Sequence, residues 1–143
     1  MPIPPFRDDG CLPSGVHLAT LDEVRSRFGE SSERRRELMQ RVVDWVDLAH
    51  AVEARRLVLD GSFVTEKHSP NDVDAVMLLP KDFQGRISRS DPSAWELEET
   101  IRYKEPQELH AAFNESQWDR ILQFFSRVRL RIGIRKGHVE VIL

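Results

Sequence analysis

Two short apolar runs face each other across one polar connector: Leu57-Val58-Leu59-Asp60-Gly61-Ser62 leads in, and Asp72-Val73-Asp74-Ala75-Val76-Met77-Leu78-Leu79 leads out. Runs of this length bounded by Gly-Ser and Pro-Asn predict strands near residues 56–60 and 72–79. Strand side chains alternate faces, so Asp72 and Asp74 share one face while Val73 and Ala75 point into the core behind them. Two carboxylates on one patch raise each other's pKa unless a cation lies between them. One or two carboxylates completed by water and substrate phosphate is the ligation that suits Mg2+. Gly61 permits backbone angles and close approaches that a Cβ would block, and Ser62 adds a hydroxyl and an N–H. The turn can therefore cradle phosphate oxygens beside the acids.

With Gly61-Ser62, nine intervening residues and then Asp72-Val73-Asp74, the chain resembles the minimal nucleotidyltransferases of the DNA polymerase beta superfamily. Leu59-Asp60-Gly61-Ser62-Phe63-Val64-Thr65, Pro70-Asn71-Asp72-Val73-Asp74 and Lys136-Gly137-His138-Val139-Glu140-Val141 are similar to a group of short bacterial proteins with that core. The likeness covers most of residues 12–143, and it lies in the combined spacing, since Gly-Ser or Asp-x-Asp alone carries little information. It departs from the superfamily where a glycine commonly follows Gly-Ser by a few residues: Val64, Thr65 and Glu66 stand there.

The resemblance implies a Mg2+-dependent transfer of a nucleoside monophosphate from a nucleoside triphosphate, ATP among them, to a protein or RNA acceptor. In it, Asp72 and Asp74 hold the metal. Glu140 supplies the third carboxylate that the superfamily places on a strand beside Asp-x-Asp. Gly61 and Ser62 grip the departing phosphates, and Lys67 in the connector reaches phosphate as a point charge. The smallest members often work in toxin–antitoxin pairs, which makes a cognate toxin or antitoxin the implied partner. Each residue has a plainer competitor: Glu140 as an exposed glutamate on an edge strand, Lys67 as a solvated loop lysine. Asp60 reads as a turn residue bonding local backbone and stays outside the expected site. The alternative for the whole chain is a nucleotidyltransferase-fold binding module, catalytically weak or inactive, acting as an antitoxin or regulatory partner.

A chain of 143 residues is large enough to bury a core but too short for two full domains. The expectation is an irregular lead-in over 1–15 and one domain over 16–143, an α/β (α+β) fold with a small mixed sheet and helices packed on it. The net charge of −3 argues against a general nucleic-acid coat. A single cysteine, Cys11, excludes an internal disulfide and fits a reducing cytoplasm. No apolar run reaches membrane-spanning length, and the first residues lack a signal-peptide pattern, so a cytoplasmic protein is expected. The choice of nucleotide, the acceptor and the oligomeric state, homo-oligomer included, stay open.

Along the chain, Thr20-Leu21-Asp22-Glu23 is a capping box, followed by a short helix ending at Gly29. Ser31 and Ser32 precede a longer helix over 32–54, in which Leu38, Val42, Trp45, Ala49 and Val52 recur at helical spacing. The Arg34-Arg35-Arg36 run in it reads as a solvated face. Residues 81–91 read as a loop, and a helix capped by Asp91 or Ser93 follows, broken before Pro106. Leu109, Ala112 and Phe113 suggest another helical turn, and 115–125 a final helix. Residues 127–134 alternate basic and apolar as a half-buried strand, with Arg127, Arg129 and Arg131 on one face, and 138–142 form the last strand. Arginines there suit either phosphate or an edge protected from aggregation. The histidines lack zinc spacing, and the three tryptophans fall on helical apolar stripes, which places them in the core.

Overall fold

A computed structural model describes residues 3–103, 108–128 and 131–143. Its order is β1 (Gly15–Ala19), α1 (Leu21–Phe28), α2 (Glu33–Val52), β2 (Arg56–Asp60), a 3-10 turn (Ser62–Val64), β3 (Asp74–Leu78), α3 (Phe83–Ser88), α4 (Pro92–Tyr103), β4 (Leu109–Ala112), α5 (Glu115–Phe125), β5 (Arg127–Val128), β6 (Arg131–Arg135) and β7 (Gly137–Val141). Five strands form a mixed sheet in the order β1-β7-β2-β3-β4, and β5 with β6 makes a separate ribbon. This is the α/β architecture expected, a mixed sheet with helices packed on it.

The two faces of the sheet are sorted by alternation. Leu57, Leu59, Ala75, Met77, Val139 and Val141 join the main core with Leu38, Val42 and Ala49 of α2 and Leu97 of α4. Val58, Val76 and Leu78 point the other way, to a smaller core with Trp118 and Phe125 of α5. Strand period 2 thus explains why central strands read as continuous apolar runs: both faces are covered. The helix α5 is 11 residues long, and Phe125 in its last turn makes a ring contact with His138 of β7.

Local signals fix the helix ends. Thr20 and Glu23 form the reciprocal capping box, and Gly29 closes α1. Ser32 accepts from the Arg35 N–H to open α2, and Asn114 accepts from the Gln117 N–H to open α5. Such caps each contribute about 1 kcal/mol.

Several expectations are corrected. Residues 15–19, next to the lead-in, form β1, which pairs in parallel with β7. That pairing is non-local and leaves no local signature. Its approach needs Gly137, where a Cβ would sit 2.0 Å from the Pro13 carbonyl oxygen. The lead-in itself places Ile3 and Leu12 in the core. The loop expected over 81–91 contains α3. Leu109–Ala112 is a strand and not a helical turn, drawn into the sheet by parallel pairing with β3. The single strand expected over 127–134 is the β5–β6 ribbon. Arg129 and the break before Pro106 lie outside the described residues. Trp45 and Trp118 are core, but Trp95 is exposed, its indole N–H donating to the Ile87 carbonyl.

The arginine run also reads differently in three dimensions. Arg35 is buried, and its guanidinium donates to the carbonyls of Phe28, Phe63, Thr65 and Lys67. Arg34 donates to the carbonyls of Pro70 and Asn71. A connector without regular secondary structure must satisfy its backbone groups somewhere. Two helix-borne arginines do this between β2 and Asp72.

Candidate functional site

Gly61 turns the chain out of β2 with φ +85° and ψ −177°, a conformation that non-glycine residues rarely adopt. A Cβ there would lie 3.0 Å from the Asp74 amide nitrogen, 3.1 Å from Asp72 Oδ1 and 3.1 Å from Asp74 Oδ2. Both carboxylates therefore converge on one glycine, and only a glycine leaves room for them. Val73 and Ala75 are fully buried behind them; the strand expected over 72–79 begins only at Asp74, so Asp72 is the last part of the connector and is held from Ser62.

Ser62 fixes the geometry. Its hydroxyl donates to Asp72 Oδ1 at 2.8 Å and accepts from the Asn71 and Asp72 N–H groups, while its own N–H donates to the same Asp72 oxygen at 2.9 Å. The Phe63 N–H donates to the Asp72 carbonyl and the Val64 N–H to the Gly61 carbonyl. The turn expected to cradle phosphate thus spends these donors internally, and Ser62 is a positioning residue for Asp72.

Register decides which other groups meet the pair. Asp60 lies directly opposite Asp74 across β2 and β3. Buried, it takes Lys136 Nζ at 3.3 Å from Oδ2 and His138 Nδ1 at 3.3 Å from Oδ1. Glu108, just before β4, lies on the other side, its carbonyl accepting from the Ala75 N–H and its carboxylate paired with Arg41 of α2. Burial first, then Asp72 and Asp60, pushes the Asp74 carboxyl up to about 7, with Lys136 pulling the other way and Glu108 adding to the rise.

Glu140 does not join them. The sheet order places β2 between β7 and β3, so Glu140 is not on a strand beside Asp-x-Asp. It stands opposite Val58, two residues along β2 from Asp60, and Arg56 holds its carboxylate at both oxygens, 2.6 and 2.9 Å away. Arg56 in turn stacks over Trp118. Lys67 is exposed, and its backbone carbonyl is what Arg35 uses. Lys136, paired with Asp60, is a lysine that the structure does bring to the acids. The signals that could have found these groups were the acidic residue directly before Gly-Ser and the Lys-Gly-His run ahead of the last strand.

Asp72 and Asp74 supply the hard oxygen donors that Mg2+ prefers, next to a turn that a Cβ would close. Among the described residues, no three His, Cys, Asp or Glu side chains form a ready-made metal cluster. Two carboxylates with the remainder left to water and phosphate is how Mg2+ is commonly held, so the residues present fit that ion.

Two expected results follow from this geometry. Replacing Glu140 by Gln breaks a two-pronged pair with Arg56, for a loss of about 1 kcal/mol because Arg56 is partly exposed. Any Mg2+-induced rise in melting temperature persists in Glu140→Gln, since Glu140 is engaged elsewhere; thermal melts with and without Mg2+ check both. The second concerns pH. A carboxyl raised from 3.8 to about 7 on folding stabilises the fold fully below pH 3.8, and that contribution is lost as pH rises through 7. Metal-free protein accordingly melts at falling temperature from pH 5 to 8 relative to Asp74→Asn, which lacks this titration. A Mg2+ ion held by these carboxylates would compete with the proton on Asp74, so any rise it causes in melting temperature is expected to be larger at pH 8 than at pH 6.

No helix among the described residues is long and apolar enough to cross a membrane. Comparison with known proteins finds no match among curated proteins or solved structures. The model of one family, described as a family of unknown function, DUF6932, matches residues 4–142. That span takes in β1, the Gly61–Asp74 turn and the Lys136–Val141 strand together, and the chain belongs to this family.

Proposed function

We propose that the protein is a Mg2+-dependent nucleotidyltransferase, moving a nucleoside monophosphate from a nucleoside triphosphate to a protein or RNA acceptor. The observation that carries this reading is the convergence of the Asp72 and Asp74 carboxylates on the positive-φ Gly61. A charge pair held in this way at a turn, with one member kept protonated until about pH 7, is electrostatically strained without a cation and relieved by one. Bound there, Mg2+ would neutralise charge on the triphosphate and on the attacking and leaving oxygens.

The chain's own residues supply position. Asp72 is oriented by the Ser62 hydroxyl and N–H. Asp74 is backed by the sheet. Lys136, paired with Asp60, sets a positive charge beside the acids, where phosphate oxygens would carry negative charge. His138 holds Asp60 from the other oxygen. The acceptor comes from outside these elements, and a cognate toxin or antitoxin is the partner class that the resemblance implies.

Incubation of the purified protein in cell lysate with Mg2+ and each α-labelled nucleoside triphosphate tests the reading. Label on a macromolecule that depends on Mg2+ and is lost in Asp72→Asn supports it; no label with any of the four triphosphates counts against it.

A second reading, a module of the same fold that binds without transferring, is favoured by one specific feature. The Ser62, Phe63 and Val64 N–H groups are all already bonded within the turn. Under this reading Mg2+ and nucleotide leave the melting temperature unchanged.

A further inference from the structure

A cavity of about 420 Å3 opens beside α5 and the edge strand β4, lined by His110, Phe113, Gln117, Arg120, Phe124 and Phe125 among others. We infer that this groove is the nucleobase subsite of the transfer site and that it prefers guanine, an inference that rests on the nucleotidyltransferase reading.

One wall of the groove, Phe125, also touches a residue that holds the acidic cluster. Phe125 packs edge-on against His110, with ring centroids 5.4 Å apart, and also against His138, at 6.5 Å. His138 is the residue held by Asp60, which lies opposite Asp74. His110 stands beside Val76, two residues along β3 from Asp74, about 7 Å along the strand. A ribose bridges that separation between a phosphate at the acids and a base in the groove.

Its chemistry is that of a stacking platform with a donor rim. Phe124 is 65% exposed and Phe113 is 47% exposed, both line the cavity, and the Arg127 guanidinium lies 5.7 Å from the Phe124 ring centroid. Flat rings accept a base face-on whatever its identity. The polar lining narrows the choice. Gln117 Oε1 already accepts from the Phe113 N–H, which leaves its NH2 as a donor, and the guanidinium of Arg120 only donates. Two donors match the O6 and N7 acceptors of guanine, whereas adenine presents a donor at N6 in the same place. The volume falls in the range of small-molecule sites.

Calorimetric titration of Mg-GTP, Mg-ATP and Mg-tripolyphosphate into the parent protein, Phe124→Ala and Arg120→Ala tests this. Both side chains are exposed, so both variants fold, as circular dichroism would show. The expected result is GTP bound more tightly than ATP by the parent. Phe124→Ala weakens both nucleotides about tenfold, Arg120→Ala reduces the preference for GTP, and neither variant alters tripolyphosphate binding. Nucleotide affinities unchanged in Phe124→Ala, or ATP bound as tightly as GTP by the parent, overturn the subsite while leaving the transfer reading in place. Failure of tripolyphosphate and both nucleotides to bind the parent with Mg2+ overturns the subsite together with the reading beneath it.

Discussion

On the transfer reading proposed above, Asp72→Asn and Asp74→Asn are each expected to lower nucleotidyl transfer by roughly 10^3-fold or more, the scale on which charge placed at the reacting groups contributes to catalysis. Folding does not suffer in either. An Asn at position 72 retains an Oδ1 acceptor for the Ser62 N–H and hydroxyl. An Asn at position 74 relieves burial of a charge that Asp72 and Asp60 already disfavour. At pH 8 the Asp74→Asn protein gains about 1 kcal/mol, a figure kept small because solvent still reaches the carboxylate. That corresponds to a rise of about 2–4 °C in melting temperature. The gain shrinks as pH falls through 7 and vanishes only below pH 3.8, where Asp74 is protonated in the folded and the unfolded chain alike. Transfer lost with stability kept or raised marks a functional pair under electrostatic strain. Both variants melting well below the parent at pH 8, with Mg2+ not moving the parent's melting temperature, would show the carboxylates to be structural and favour the non-transferring module.

The largest effect on stability is expected at Arg35. Its guanidinium reaches four carbonyls from three separate segments: the end of α1, the 3-10 turn and the connector. Arg35→Ala leaves those carbonyls to find water and opens a void against the Phe63 ring, over which the guanidinium lies at 5.8 Å. Unmet buried acceptors cost about 1–3 kcal/mol each when water cannot replace the donor. With partial rehydration of the outer two, the loss is about 3–4 kcal/mol, or about 10 °C in melting temperature. Arg35→Lys recovers less than half, because an ammonium is a point charge without the planar fork that spans several acceptors. The same variants loosen the connector that leads to Asp72, so under the proposed function Mg2+ affinity is expected to fall with stability. Chemical denaturation checks the first effect and Mg2+ titration the second. A loss below 1 kcal/mol in Arg35→Ala would return the arginine run to the solvated face its composition suggests.

What the sequence determined by itself was local. The Thr20–Glu23 box, the Ser32 cap and the bounds of β2 and of α5 were all legible, because a cap, a period and a turn act over a few residues. Tertiary structure decided what depends on strand order. No pattern within residues 137–141 says whether their strand lies beside β3 or one strand further away. With β2 in between, Glu140 falls to Arg56, and Asp60, which reads locally as a turn residue, stands level with Asp74. Leu109–Ala112 is too short to declare its type and becomes a strand only by pairing with β3. Arg35 is one of three consecutive arginines in the sequence, alike in composition, and it alone of them is buried, because the rotation of α2 turns that one position toward the carbonyls of a connector about thirty residues away.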